Sequence, residues 1–287
     1  MDSKPARYAV IGNPVAHSRS PAIHAMFAAQ TGQHIEYGRL LAPLDGFHAA
    51  VESFRAEGGR GLNVTVPFKP EAHAYATVLT PRAAVAGAVN TLAFEVNRVL
   101  GDNTDGAGLV SDLRERLGIE LKGARLLLLG AGGAARGVLQ PLLEAGVEQL
   151  VVANRTGARA VAMRDDVLAR LPAASARLQA GGLSMAQGRF DIVINGTAAG
   201  LSDAAPEVPE SVLQHARLAL DMVYGAQPTA FMRLALNAGC PQVEDGLGML
   251  VGQAAESFAL WRGVRPLTVP VHAAIRAELS GAAPQAR

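Results

Sequence analysis

Gly130, Gly132 and Ala135 stand directly after the apolar run 126–129 and open a stretch with helical spacing. A strand, a glycine turn and a helix in that order suit a dinucleotide pyrophosphate. Gly130 permits the tight turn, Gly132 lets backbone approach phosphate, and Ala135 lets the helix lie close to its strand. The helix N-terminus adds free N–H groups and the positive end of a dipole. A bare strand-to-helix turn needs the same glycines, and it is the complete βαβ setting that favours a ligand. Gly130, Ala131, Gly132, Gly133 and Ala134 are the expected contacts. The next strand, 150–153, ends in Asn154, Arg155 and Thr156, with Arg159 one turn later. The acid that usually holds the ribose hydroxyls of NAD is missing there. Guanidinium is always charged and meets phosphate oxygens two at a time, so the loop suits a 2′-phosphate, and NADP is the expected cofactor.

Other residues able to do chemistry lie within the first 108 positions, in the segments GNPVAHSRSP (12–21), NVTVPFK (63–69), GAVNT (87–91) and GDNTDGAG (101–108). Each has an ordinary reading beside the functional one. Ser18 and Ser20 precede a helix started by Pro21, so either could be a cap, and Ser20 fits the N-cap position. Lys69 follows a strand that ends near Thr65, and an isolated lysine is normally a surface charge. Asn90 and Asp105 sit beside glycines, as turn residues do.

The elements that must position these residues alternate between short apolar runs and amphipathic stretches, the pattern of an α/β protein with a mostly parallel sheet. Runs 8–11, 62–66 and 89–94 read as strands, and 21–30 and 44–55 as helices. A helix-like stretch at 108–117 leads into the βαβ unit. Runs 191–194, 216–220 and 242–244 add strands, and 248–261 reads as one helix. Stretch 170–188, rich in alanine and glycine, resists assignment. The expected domains are 1–105 for substrate and catalysis, 106–245 for the dinucleotide, and a helical segment at 246–287.

Composition narrows the partners. In 287 residues, 26 basic side chains face 25 acidic ones, so no charge excess attracts nucleic acid or an anionic membrane. A single cysteine, Cys240, forms no internal disulfide and builds no zinc knuckle; a small apolar filler is its economical role. The seven histidines show no paired spacing, so no metal is expected. The opening MDSKPARYAVIG lacks the apolar run of a signal peptide, and no stretch is long enough to span a bilayer. A cytoplasmic enzyme acting on small molecules is the expectation.

Taken together and in order, the segments from GNPVAHSRSP to GLGMLVGQAAESFALW resemble the shikimate dehydrogenase family. The resemblance implies an α/β fold of two domains, an N-terminal substrate domain and a Rossmann-type dinucleotide domain. A C-terminal helix would return to the first domain and leave the site in the cleft between them. By the same resemblance Ser18 and Ser20 hold a substrate carboxylate, while Thr65, Lys69, Asn90, Asp105 and Gln253 contact ring hydroxyls. Tyr224, within DMVYGAQPT, and Met249 face substrate and nicotinamide. NRTGAR is the NADP-phosphate clamp, and Thr197, Met222 and Gly246 complete the cofactor side. The implied reaction is reversible NADPH-dependent reduction of 3-dehydroshikimate to shikimate, by a monomer or homodimer.

Lys69 is the lone lysine in these segments, and as an ammonium it could polarise the ring carbonyl and donate the proton that reduction requires, with Asp105 orienting it. His17 and His24 flank the serines but are not taken as bases: His24 falls on a helix as a packing or surface residue, and His17 shapes the loop. Three rival readings share parts of this pattern: a relative that also oxidises quinate, a silent NADP-binding regulator, and a methylene-folate dehydrogenase. Ser20 and the arginine loop argue against the first. The set Lys69, Asp105, Asn90, Ser18 and Ser20 argues against the second, and the paired-serine loop against the third. Ala25 and Gly196 depart mildly from the family pattern.

Overall fold

The computed structural model describes residues 4–197 and 205–281. The chain divides into two compact units, Met1–Gly108 with Val251–Ile275, and Leu109–Leu250 with Arg276–Arg287.

The first unit runs β1 (Ala6–Gly12), α1 (Ser20–Thr31), β2 (Ile35–Leu41), α2 (Phe47–Ala56), β3 (Gly59–Val64), α3 (Lys69–Tyr75), β4 (Val78–Leu79), α4 (Pro81–Ala86), β5 (Thr91–Phe94) and β6 (Val99–Asp102). Its six-stranded sheet has the order β2-β1-β3-β5-β6-β4. All pairings are parallel except those of β5, which runs against β3 and β6. The C-terminal ends of β1, β3 and β6 therefore meet the N-terminal end of β5 along one edge. β2 is an edge strand with a polar outer face (IEYGRLL), and its alternation hides it from a search for apolar runs. Ile11, Val51, Leu62, Phe68 and Leu92 form the fully buried centre of the core, each worth roughly 1.5–3 kcal/mol on burial.

Ser20 does not cap α1. The helix begins at Ser20 itself with Arg19 at the N-cap, and the Ser18 hydroxyl accepts the Ser20 backbone N–H at 3.3 Å. Ser18 thus satisfies one orphan donor of the helix start from two residues upstream, while the Ser20 side chain is buried.

The helix α5 (Asp105–Ser111) leads through a π-helical turn (Asp112–Arg116) to the second unit's strands and helices. These are β7 (Arg125–Leu129), α6 (Gly133–Glu144), β8 (Gln149–Ala153), α7 (Gly157–Arg170), β9 (Leu178–Gly181), β10 (Ile192–Asn195), α8 (Glu210–His215), β11 (Leu218–Asp221), α9 (Ala230–Asn237) and β12 (Val243–Glu244). All six strands are parallel in the order β12-β11-β10-β7-β8-β9, the doubly wound 3-2-1-4-5-6 arrangement read from β9. Covered on both faces, β7 is continuously apolar, and Leu126, Leu127, Leu128 and Leu129 are all fully buried. Stretch 170–188 holds β9 between 3-10 turns at Pro172–Ala174 and Leu183–Met185. Cys240 packs into this unit's core.

Two more helices follow, α10 (Leu247–Arg262) and α11 (Thr268–Leu279). Within the first unit, Trp261 of α10 stacks on Tyr8 at 4.6 Å between ring centroids and donates its indole N–H to Leu92 O at 3.0 Å. Gly61 makes room for it, since a Cβ there would lie 2.5 Å from the indole nitrogen. Among the described residues no helix is long and apolar enough to cross a membrane.

Candidate active site

The shared edge of the first unit's sheet gathers the polar residues. Beyond β3 the chain turns at Thr65, whose N–H donates to Ile11 O at 3.0 Å, and Phe68, fully buried, anchors the start of α3. This sets Lys69 as the first residue of α3, the end of a helix that disfavours a cation. The compensation is Asp105. Lys69 Nζ donates to Asp105 Oδ2 at 2.6 Å, with the lysine side chain 29% and the aspartate 11% exposed. The pair is shielded enough to strengthen their attraction, yet the ammonium keeps a face open.

Asp105 is held in turn. Asn90 Nδ2 donates to Asp105 Oδ1 at 2.7 Å and to Thr104 Oγ1 at 3.0 Å, and it lies 3.4 Å from Gln253 Oε1. Asn90 Oδ1 accepts from Thr104 N at 2.8 Å and from Thr91 Oγ1 at 2.9 Å. Just behind, Asp102 receives a two-pronged Arg82 guanidinium at 2.7 and 2.6 Å and Thr80 Oγ1 at 2.6 Å, and it accepts the Asn103 N–H. The loop that delivers Asp105 is therefore pinned at its root. Gln253 arrives on α10 through a glycine contact with α5: a Cβ on Gly252 would lie 2.4 Å from Gly108 O, and one on Gly108 would lie 2.2 Å from Gln253 N.

On the β1 and α1 side, the Ser20 hydroxyl is buried and hydrogen-bonds Tyr37. Tyr37 donates to Asn63 Oδ1 at 2.7 Å, and His24 Nε2 reaches the same oxygen at 3.2 Å. Burial pushes the Tyr37 phenol well above its usual range, so it remains a donor. His24 is fully buried and lies flat on Tyr37 at 4.1 Å. Burial lowers its pKa to about 3 against the opposing hydrogen bond to Asn63, so its imidazole is neutral. The sequence reading of His24 as a packing or surface residue thus keeps only its first half. Asn63, Thr91 and Thr104 were not singled out, although Asn63 opens NVTVPFK and Thr104 lies inside GDNTDGAG.

In the second unit, β7, β8 and β10 end around a groove of about 530 Å³ walled by Gly130, Ala131, Gly132, Asn154, Arg155, Arg159, Gly196, Thr197 and Glu207, among others. Gly130 has φ +105°, in the region that favours glycine, and a Cβ on it would lie 2.9 Å from Gly196 O. Gly132 and Gly133 face open space where a Cβ would be, and the α6 N-terminus has no side-chain cap, so its N–H groups are free for an anion. Asn154 Nδ2 donates to Thr156 O at 2.9 Å and shapes the loop. Arg155 and Arg159 are exposed, and neither has an ion-pair partner among the described residues, whereas nearby Arg136 is paired with Asp166 at 2.6 Å. These features fit a phosphorylated dinucleotide. Glu207 places one acid on the groove wall.

Thr197 donates its N–H and hydroxyl to Asn195 Oδ1 at 3.1 and 2.7 Å. Met222, Tyr224, Gly246 and Met249 are not among the groove walls. Met222 and Gly246 instead touch each other, since a Cβ on Gly246 would lie 2.0 Å from Met222 O. The loop carrying Tyr224 is tied down at both ends. Buried Asp221 accepts from Val223 N and Thr229 Oγ1, and Asp245 accepts from Gly225 N and Leu247 N and pairs with Arg276. Among the described residues no group of three or more His, Cys, Asp and Glu could hold a metal ion.

Comparison with known proteins covers both units. Residues 10–92 match the shikimate dehydrogenase substrate binding domain, 112–221 match shikimate / quinate 5-dehydrogenase, and 246–276 match the shikimate 5′-dehydrogenase C-terminal domain. The chain is 57% identical over 279 residues to the shikimate dehydrogenase (NADP(+)) of Herminiimonas arsenicoxydans, covering 97% of this chain and 100% of that one. It is 56% identical over 282 residues to the corresponding protein of Bordetella avium, covering 97% and 99%. Among solved structures it is similar to an Ael1 enzyme from Pseudomonas putida, with TM-score 0.88 and 46% identity over 96% of this chain and 98% of that one. Shikimate 5-dehydrogenase from Thermus thermophilus, in complex with NADP(H) and shikimate, superposes with TM-score 0.83 at 36% identity over 96% and 100%. With three matched domain families and near-complete coverage by relatives above half identity, the chain belongs to the shikimate dehydrogenase family.

Proposed function

We propose that this protein catalyses the reversible, NADPH-dependent reduction of 3-dehydroshikimate to shikimate. The observation that carries the reading is the 2.6 Å Lys69–Asp105 pair at the convergent edge of the first unit's sheet. NADPH, when bound, supplies the hydride to the ring carbonyl carbon. The Lys69 ammonium polarises the carbonyl oxygen and delivers the proton that completes the alcohol, and in the oxidative direction takes it back. Asp105, fixed by Asn90, aims the ammonium and balances its charge. Ser18 and Ser20 hold the carboxylate, and Thr65, Asn90 and Gln253 hold ring hydroxyls.

Gly130, Ala131, Gly132, Gly133 and Ala134 would cradle the pyrophosphate. Asn154, Arg155, Thr156 and Arg159 would hold the adenosine 2′-phosphate, and Thr197, Met222, Gly246 and Met249, with Tyr224, the nicotinamide end. We assign the substrate and catalytic role to residues 1–105 and the cofactor role to 106–245, and we take 246–287 as a C-terminal helical segment that returns to the first domain. The near-neutral charge supports a protein without a nucleic-acid partner and the lone buried cysteine a cytoplasmic one; we assign it as a monomer or homodimer. Four assays test the reading, following nicotinamide absorbance with shikimate or quinate against NADP or NAD. Shikimate with NADP is expected to be turned over fastest by a wide margin; no turnover of that pair refutes the proposal.

A further inference from the structure

Asn63 is a buried amide whose two ends must be told apart by their neighbours. Oδ1 faces the Tyr37 hydroxyl at 2.7 Å and His24 Nε2 at 3.2 Å, while Nδ2 faces Thr91 Oγ1 at 3.2 Å and Asn90 O at 3.4 Å. The reverse orientation would set a carbonyl oxygen against Asn90 O. Because Oδ1 only accepts, His24 must carry its proton on Nε2. Because Asn63 Nδ2 donates to Thr91, the threonine hydroxyl is free to give its own proton to Asn90 Oδ1, at 2.9 Å. Asn90 then has its Nδ2 turned to Asp105 Oδ1 at 2.7 Å, and Asp105 Oδ2 receives Lys69 at 2.6 Å. The assignments agree from end to end, and the Tyr37 hydroxyl on Asn63 Oδ1 and the Thr104 N–H on Asn90 Oδ1, at 2.8 Å, point the same way.

We propose that His24 is a positioning residue: by donating from Nε2 it helps Tyr37 hold the Asn63 amide, and through it the Thr91 hydroxyl, in the place and direction that support Asn90 and the Lys69–Asp105 pair. A second observation supports this. His24 Nδ1 is buried with no hydrogen-bond partner, an arrangement that costs about 1–3 kcal/mol and that a phenylalanine would avoid. The ring sits among Phe27, Tyr37, Phe258 and Trp261, surroundings in which Phe would pack readily. An imidazole kept there against stability points to the donor as its use.

The inference rests on the reading of Lys69 and Asp105 as the proton-transfer pair. It is tested with the wild type, His24→Phe and His24→Gln, whose amide nitrogen can stand near the lost Nε2. We expect His24→Phe to melt at or above the wild-type temperature yet lose about tenfold or more in kcat with shikimate, with the NADP KM unchanged. His24→Gln should melt lower and recover most of the rate. Wild-type turnover in His24→Phe, or rates that follow melting temperature instead of the donor, overturns the proposal. Should the wild type itself turn over no shikimate, the functional reading fails separately. The 15N shifts of labelled histidine then decide for His24: a neutral ring protonated on Nε2 is expected, and one protonated on Nδ1 overturns it.

Discussion

Replacing Arg155 by alanine should cost the protein its preference for the phosphorylated cofactor and little else. The guanidinium is exposed where it lines the groove, and it forms no ion pair among the described residues. A unit charge pair about 4 Å apart is worth about 1 kcal/mol in bulk water and about 4 kcal/mol at the effective dielectric of a protein surface. Hydrogen bonds to charged groups contribute about 1.5–3 kcal/mol. Exposure favours the lower end, so Arg155→Ala should raise the NADP KM about tenfold, the equivalent of about 1.4 kcal/mol. Removing Arg159 as well should bring the loss to about a hundredfold if the two act independently. NAD lacks the 2′-phosphate, so its KM should move less than about twofold in either variant. Salt should narrow the gap between wild type and variant, because exposed charges are screened over about 8 Å at physiological ionic strength. Asn154→Asp is the converse change, since a carboxylate at the end of β8 would attract ribose hydroxyls and repel the phosphate. The assay is initial-rate kinetics with both cofactors at two salt concentrations. Equal weakening of NADP and NAD by Arg155→Ala would refute the reasoning and make the residue structural.

Gly252→Ala should force α10 away from α5, because the new Cβ would lie 2.4 Å from Gly108 O. Overpacking of this kind costs about 1–3 kcal/mol, so the melting temperature should fall by several degrees and the shikimate KM should rise as Gln253 shifts; an unchanged melting temperature would contradict the packing argument. His24 also predicts a pH effect. Its folded pKa of about 3 lies below the unfolded value of 6.5, so the unfolded state binds more protons between those limits, and stability falls as pH drops through that window. Relative to His24→Phe, the wild type should lose about 2 kcal/mol between pH 7 and pH 5, measured by urea unfolding; parallel pH profiles for the two would refute it.

The parts of this protein legible in its sequence are those set by local rules. Leu126 to Leu129 followed by Gly130 and Gly132 announce a buried parallel strand, a turn and a helix, because parallel strands are covered on both faces and the turn needs φ above zero. The loop chemistry of Arg155 and Arg159 follows from one missing acid. Lys69, Asn90 and Asp105 were visible as residues at strand ends, but a surface lysine and a pair of turn residues look the same until the reversed strand β5 brings the ends of β3 and β6 together. The polar network was harder to read because its links are long: His24 meets Asn63 across 39 positions, and Asn90 meets Gln253 across 163. Ser20 reads as a cap in the sequence, but the helix starts one residue earlier with Arg19 at the N-cap, and the Ser20 hydroxyl turns to Tyr37 instead, a partner 17 positions away. Strand β2, with its alternating polar side chains at the sheet edge, offered no apolar run to find.

The central claim is that the Lys69 ammonium transfers the proton. Its most direct test is the kcat of Lys69→Ala with shikimate and NADP, measured beside the substrate KM on protein shown to be folded. General acid–base catalysis contributes about a hundredfold to ten-thousandfold, so kcat should fall by about a hundredfold or more while KM changes far less. A kcat within about threefold of the wild type would leave the proton transfer to another group and contradict the account.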